Sequence, residues 1–253
     1  MGGRKLYLKL QPFMKLHGIK LGRDGLFNLL AAHYLLIRRR KRYIQTTQSL
    51  HRFKKYPNQI INFTPTGPNQ LWVSDITYWD IAGKYWYISL ITDAYSHKIV
   101  GYQLAQSLEA IESIQALQMA LSTLKSTESH FNLIHHSDRG TQYCSNAYVK
   151  LLEAYQIQIS MNNNGDPLEN AVAERVNGII KEEYLANYQV SSIQEAKEIL
   201  QKVVKLYNDD RPHMSISNLT PNQVHHASTT VKTDRLWKNY YQKNLELVNL
   251  LQD

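Results

Sequence analysis

Three strand-like runs follow one another closely between Leu71 and Leu104, with gaps that leave room only for tight turns. Leu71–Tyr78 and Tyr85–Thr92 flank Ala82-Gly83-Lys84, and Ile99–Leu104 follows the turn Asp93-Ala94-Tyr95-Ser96-His97. Residues of this type bounded by turn formers are expected to pair as antiparallel hairpins. The pattern then changes. A helix is expected over about Leu108–Leu124, where Ile111, Ile114, Leu117, Leu121 and Leu124 share one face. Next come a strand at Leu133–Ser137, a helix at Asn146–Ala154 and a short strand at Ile157–Met161. Hairpins followed by alternating helix and strand predict an α/β fold, a mixed five-stranded sheet flanked by helices. Such sheets place their chemistry at strand ends and on the adjoining helices.

Three carboxylates fall where that chemistry belongs. Asp75 interrupts an apolar strand, where an unpaired charge is costly. A buried ion pair or a metal would account for it. Asp138 follows the strand ending at Ser137, where a turn-capping duty is the plain reading. Glu174 lies on a helix whose polar side carries Asn170, Glu174, Asn177, Gly178 and Lys181, opposite Val172, Val176, Ile179, Ile180 and Glu183. Taken singly, each has an ordinary structural explanation. Their order and spacing, with 35 residues (139–173) between Asp138 and Glu174 and Lys181 seven beyond, favour a shared site. Hard oxygen ligands suit Mg²⁺ or Mn²⁺. Two such ions can drive an in-line phosphoryl displacement.

Charge points to the substrate. Residues 1–60 carry 14 Lys/Arg against the single Asp24, a net +13, and the remaining 193 carry 15 against 20 Asp/Glu, a net −5. A basic arm on an acidic body suggests a polyanion, with nucleic acid a better fit than a membrane surface. Residues 1–44 are expected to form the arm. Leu6, Leu10, Phe13 and Leu16 share one helical face, a turn follows at His17–Asp24, and a second helix spans Leu26–Ile37. The pair fits a DNA-reading helix–turn–helix or a plain helical hairpin equally well. Arg38, Arg39, Arg40, Lys41 and Arg42 are candidate phosphate contacts. A linker is expected over 45–68, the core over 69–226, and a tail ending in a Leu-rich helix over 227–253. No apolar run suits a membrane span or a signal peptide. Cys144 is the only cysteine, which excludes intrachain disulfides and Cys₂His₂ zinc and suggests a cytoplasmic setting.

Trp72-Val73-Ser74-Asp75-Ile76-Thr77-Tyr78, His136-Ser137-Asp138-Arg139-Gly140-Thr141-Gln142-Tyr143 and Glu169-Asn170-Ala171-Val172-Ala173-Glu174-Arg175 resemble the second-frame transposase of the insertion-sequence-three family. Tyr207-Asn208, Arg211-Pro212-His213 and Thr220-Pro221 resemble its closing segment. The likeness implies a ribonuclease-H-like integrase core with Asp75, Asp138 and Glu174 as the Asp-Asp-Glu triad and as ligands of two Mg²⁺ or Mn²⁺ ions. Lys181 is then expected to contact DNA, as are Asn177, Arg139 and Arg211, while His136 supports the site by packing, phosphate contact or proton transfer. The implied reaction exposes 3′-hydroxyls at element ends and joins them to DNA through a circular intermediate. Expected partners are double-stranded DNA (element ends and target), further copies of the chain, and an upstream-frame helix–turn–helix protein or fusion, in a bacterial nucleoid-associated setting. Family members usually carry more residues before Gly2-Gly3-Arg4-Lys5-Leu6, so Met1 is expected to be a late start or the opening of the downstream frame alone. The alternative is a non-catalytic DNA-binding regulator of transposition.

Overall fold

The computed structural model describes residues 2–36, 51–124, 132–163 and 170–227. Its centre is a five-stranded sheet in the order β3-β2-β1-β4-β5. β1 (Leu71–Ile81), β2 (Lys84–Asp93) and β3 (Ile99–Ala105) form an antiparallel meander. β4 (Ile134–Ser137) pairs parallel to β1, and β5 (Gln158–Met161) parallel to β4. The β1–β2 hairpin closes through Ala82 and Gly83, both left-handed with φ of 51° and 78°. That is the twist-matched geometry of a two-residue hairpin loop, which Gly83 adopts without Cβ strain.

Both faces of the sheet are covered, so its strands read as nearly continuous apolar runs. Trp72 and Ile76 of β1 pack with α3 (Ala110–Leu121), α4 (Thr141–Cys144) and α5 (Asn146–Ala154) through Leu117, Cys144, Tyr148 and Leu152. On the other face, Trp79, Ile88 and Leu90 meet α6 (Ala171–Ile179) and α7 (Ile193–Asp210) through Val176, Leu200, Val203 and Tyr207. Gly101 of β3 lets α3 approach, since a Cβ there would lie 2.2 Å from the carbonyl oxygen of Ala116. α8 (Pro221–His225) closes the core segment, started by a Thr220–Gln223 capping box.

The expected elements form, with shifted ends. The first strand runs on to Ile81, and the helix expected to reach Leu124 ends at Leu121. The arm comprises α1 (Gly3–Leu16) and α2 (Arg23–Ala32). Its expected apolar stripe packs only in part: Leu6 and Leu10 are half-buried, Phe13 and Leu16 are 53% and 80% exposed, and Met14 is buried. The second helix is shorter than the expected Leu26–Ile37, because Tyr34 turns left-handed at φ 58°. Part of the expected linker docks on the core, where the Gln59 amide donates to Ser160 Oγ (2.9 Å) and Ile60 is buried. Arg38–Arg42 and the tail helix lie outside the described residues. Among the described residues no helix is long and apolar enough to cross a membrane.

Candidate active site

Asp75 lies mid-way along β1, the central strand. Ser74 stands opposite Ser137 in the parallel β1–β4 ladder, so Asp75 and Asp138 are each the next residue along neighbouring strands. Such strands run ~4.8 Å apart, and residues in register project from the same face. The Asp138 carboxylate is fixed by the Gly140 amide, which donates to Oδ1 at 2.9 Å. A Cβ on Gly140 would lie 3.0 Å from that oxygen and 2.8 Å from Gln142 Oε1, so a larger residue there would push against both side-chain oxygens.

The third carboxylate arrives on α6, which is gripped to β1 at two points. Asn170 Nδ2 donates to the Ser74 carbonyl (2.9 Å), and two turns later Asn177 Nδ2 donates to Asp75 Oδ2 (2.8 Å). Glu174 lies between them on the same helical face and is exposed. The Ile76 amide takes the other Asp75 oxygen at 2.8 Å. Burial pushes the Asp75 carboxyl up to about 7, helped by Asp138 and then Glu174, while the Ile76 and Asn177 hydrogen bonds oppose the shift. The three carboxylates therefore share one electrostatic neighbourhood. Yet among the described residues no three His, Cys, Asp or Glu side chains gather closely enough to hold an ion between them. Asp75, Asp138 and Glu174 come together without closing a ligand set.

The remaining expected residues divide. Lys181 lies just beyond α6, its Nζ 3.6 Å from the centre of the Tyr78 ring on β1. Arg139, beside Asp138, is half-buried, and its carbonyl accepts from His51 Nε2 at 2.8 Å. Asn177 is buried with its amide committed to Asp75, so the expected DNA contact gives way to a positioning role. Arg211 is likewise corrected. It has no exposed surface and forks onto Glu183 through Nε (2.9 Å) and Nη2 (2.7 Å), which leaves it out of reach of a phosphate. His136 is fully buried between Ser160 Oγ (2.8 Å) and Asn162 Oδ1 (2.7 Å), so it packs behind the site and cannot touch solvent phosphate. Sequence reasoning overlooked Asn170, although its place on the Glu174 face was a usable signal. Tyr78 carried none.

The integrase core domain family matches residues 65–167 and, in a second form, residues 155–221. Among curated relatives, the uncharacterized 31 kDa protein of insertion element IS600 from Shigella sonnei is 34% identical over 215 residues, covering 84% of this chain and 78% of the relative. The chain belongs to the insertion-sequence transposases. A transposase for insertion sequence element IS629, also from Shigella sonnei, is 31% identical over 180 residues, 71% of this chain but 58% of the relative's own length. The HTLV-2 integrase catalytic core domain, solved in complex with magnesium, matches with a TM-score of 0.50 at 22% identity, over 63% of this chain and 98% of that one. This transposase therefore has the ribonuclease-H-like fold of retroviral integrase cores. It is a polynucleotidyl transferase acting on DNA, and nothing in its relatives or its structure favours the non-catalytic regulator.

Proposed function

We propose that Asp75, Asp138 and Glu174 are the catalytic carboxylates of this transposase and hold two divalent ions, Mg²⁺ or Mn²⁺. The observation that carries this reading is geometric: Asp75 and Asp138 each follow the in-register pair Ser74 and Ser137, and α6, which carries Glu174, is held to β1 by Asn170 and Asn177. Side chains brought from two strands and a helix into mutual repulsion suit a cation that would relieve it. The donors are all carboxylate oxygens, the chemistry hard cations take. When bound, such ions supply Lewis-acid polarisation of the phosphate and offset the charge building on the attacking and departing oxygens.

The residues contribute the rest. Asn177 and the Ile76 amide fix both Asp75 oxygens, and Gly140 fixes one of Asp138. Asn170 and Asn177 clamp α6 to β1, and Glu174, exposed on the same helical face, would be the third ligand. Lys181 and Arg139 contact phosphates on either side. Water first breaks the phosphodiester at the element end, leaving a 3′-hydroxyl. That hydroxyl then attacks a second phosphate, and one P–O bond forms as another breaks. Two ends handled together call for more than one copy of the chain on DNA, with an upstream-frame helix–turn–helix protein as a further partner.

The test is a cleavage and strand-joining assay on DNA carrying the element ends, with Mg²⁺ or Mn²⁺. Wild type is expected to cut and join only with the ion present, and Asp138→Ala to bind the same DNA without reacting. Retained cleavage in Asp138→Ala would refute the assignment.

A further inference from the structure

We propose that the buried Glu183–Arg211 pair is a positioning element for DNA: it holds the turn that aims Lys181. The inference rests on the reading of Lys181 as a phosphate contact. α6 runs without interruption into a single π-helical turn, Ile180–Tyr184. Such turns are rare and accumulate at functional sites, because the wider ring needs outside support to persist.

The support here is specific. Glu183 takes both prongs of the Arg211 guanidinium, at 2.9 and 2.7 Å. Arg211 Nη1 lies 3.2–3.3 Å from the ring nitrogens of His213, and Tyr207 meets that ring edge-on with centroids 5.0 Å apart. Two residues before Glu183, on the same turn, Lys181 reaches the Tyr78 ring on the strand that carries Asp75. Relaxing the turn to α geometry would rotate the downstream residues by one helical position, ~100°. Lys181 and Glu183 could not then both keep their partners. A fork of this kind is a geometric constraint that a lysine ammonium cannot reproduce.

A merely structural pair would affect stability alone, so the test reads DNA binding through its salt dependence. Each lost phosphate contact lowers the slope of log K against log salt by about 0.9. Lys181→Ala is expected to remove about one such contact. Arg211→Lys, which keeps the charge but breaks the fork, should remove the same contact although it cannot touch DNA. The double variant should lose no more than either single one. Glu183→Gln, isosteric and neutral, is the second probe and should behave as Arg211→Lys does. Lower melting temperatures with an unchanged salt slope in Arg211→Lys and Glu183→Gln would overturn the proposal. So would losses that add in the double variant, or a slope that Lys181→Ala leaves intact. An inert wild type whose slopes still couple in this way would instead sink the catalytic assignment and leave the positioning one standing.

Discussion

Asp75 is held by neighbours that the sequence presents as unrelated. Its two oxygens are engaged by Asn177 and by the Ile76 amide, while Asp138 and Glu174 press like charge against it. An ion held as proposed by Asp75 would feel Asn177 through the carboxylate it orients, as with outer-shell partners of metal ligands. Replacing Asn177 with Leu keeps the branched shape and removes its own buried, unpartnered Oδ1. Because it also strips a buried Asp75 oxygen of its donor, Asn177→Leu is expected to cost the metal-free protein about 1–3 kcal/mol. It should weaken Mn²⁺ binding by about 10–100-fold, the usual cost of losing such a partner. Titration followed by electron paramagnetic resonance reads this directly, and an unaltered Mn²⁺ affinity would show that Asp75 needs no such support. The contrast with Arg211 is instructive: both residues were expected to contact DNA, and both are buried and occupied by a carboxylate. Residue type suggests a charge or a donor, but not which side chain a distant element brings to meet it.

Periodicity located elements well because both faces of the sheet are buried, so the strands stand out as apolar runs. Boundaries were harder to read, since they depend on tertiary pairing. β1 continues to Ile81 because β2 accompanies it as far as Lys84, and nothing local to Tyr78 announces this. The arm failed differently. Its stripe of Leu6, Leu10, Phe13 and Leu16 obeys helical spacing, yet only Leu6 and Leu10 are partly covered, and the packed face continues to Met14 rather than Phe13. The shared face of Glu174 and Asn177 on α6 was legible from helical spacing; the π-turn beyond it has no sequence signature. Gly101 shows how closely two elements can depend on one missing atom. In β3 it faces α3, and an added Cβ would sit 2.2 Å from a helix carbonyl and 3.0 Å from the Ala120 Cβ. Helix and strand must separate to admit it. Gly101→Ala is expected to cost about 1–3 kcal/mol, as overpacking of a dense core does. Denaturant unfolding at constant m-value measures this, and a loss below about 0.5 kcal/mol would mean that α3 is free to shift.

At the scale of the whole molecule, the basic arm and the acidic body meet behind the site. α1 lies against the end of α7, where Lys9 pairs with Asp210, and Lys5 settles beside the Arg211–Glu183 pair. Burial, and then the Arg211 guanidinium, bring the Lys5 ammonium down to about 7 against the partial opposition of Glu183. Undocked, Lys5 returns to its ordinary value of 10.5. Between those two values the undocked arm binds more protons than the docked one, so docking strengthens as pH rises from about 7. Below about 7 both forms are protonated, and the cost of burying the charge is fully present and independent of pH. Hydrogen exchange of the α1 amides, corrected for the intrinsic rate at each pH, should therefore show protection increasing between pH 7 and pH 9. Lys5→Met keeps the buried stem and discards the proton, so its protection should be higher at pH 7 and flat across the range. If the variant keeps the slope of the parent, Lys5 is not the group that links arm to body. A flat profile would tie the placement of the arm to the same buried pair that stands behind Lys181.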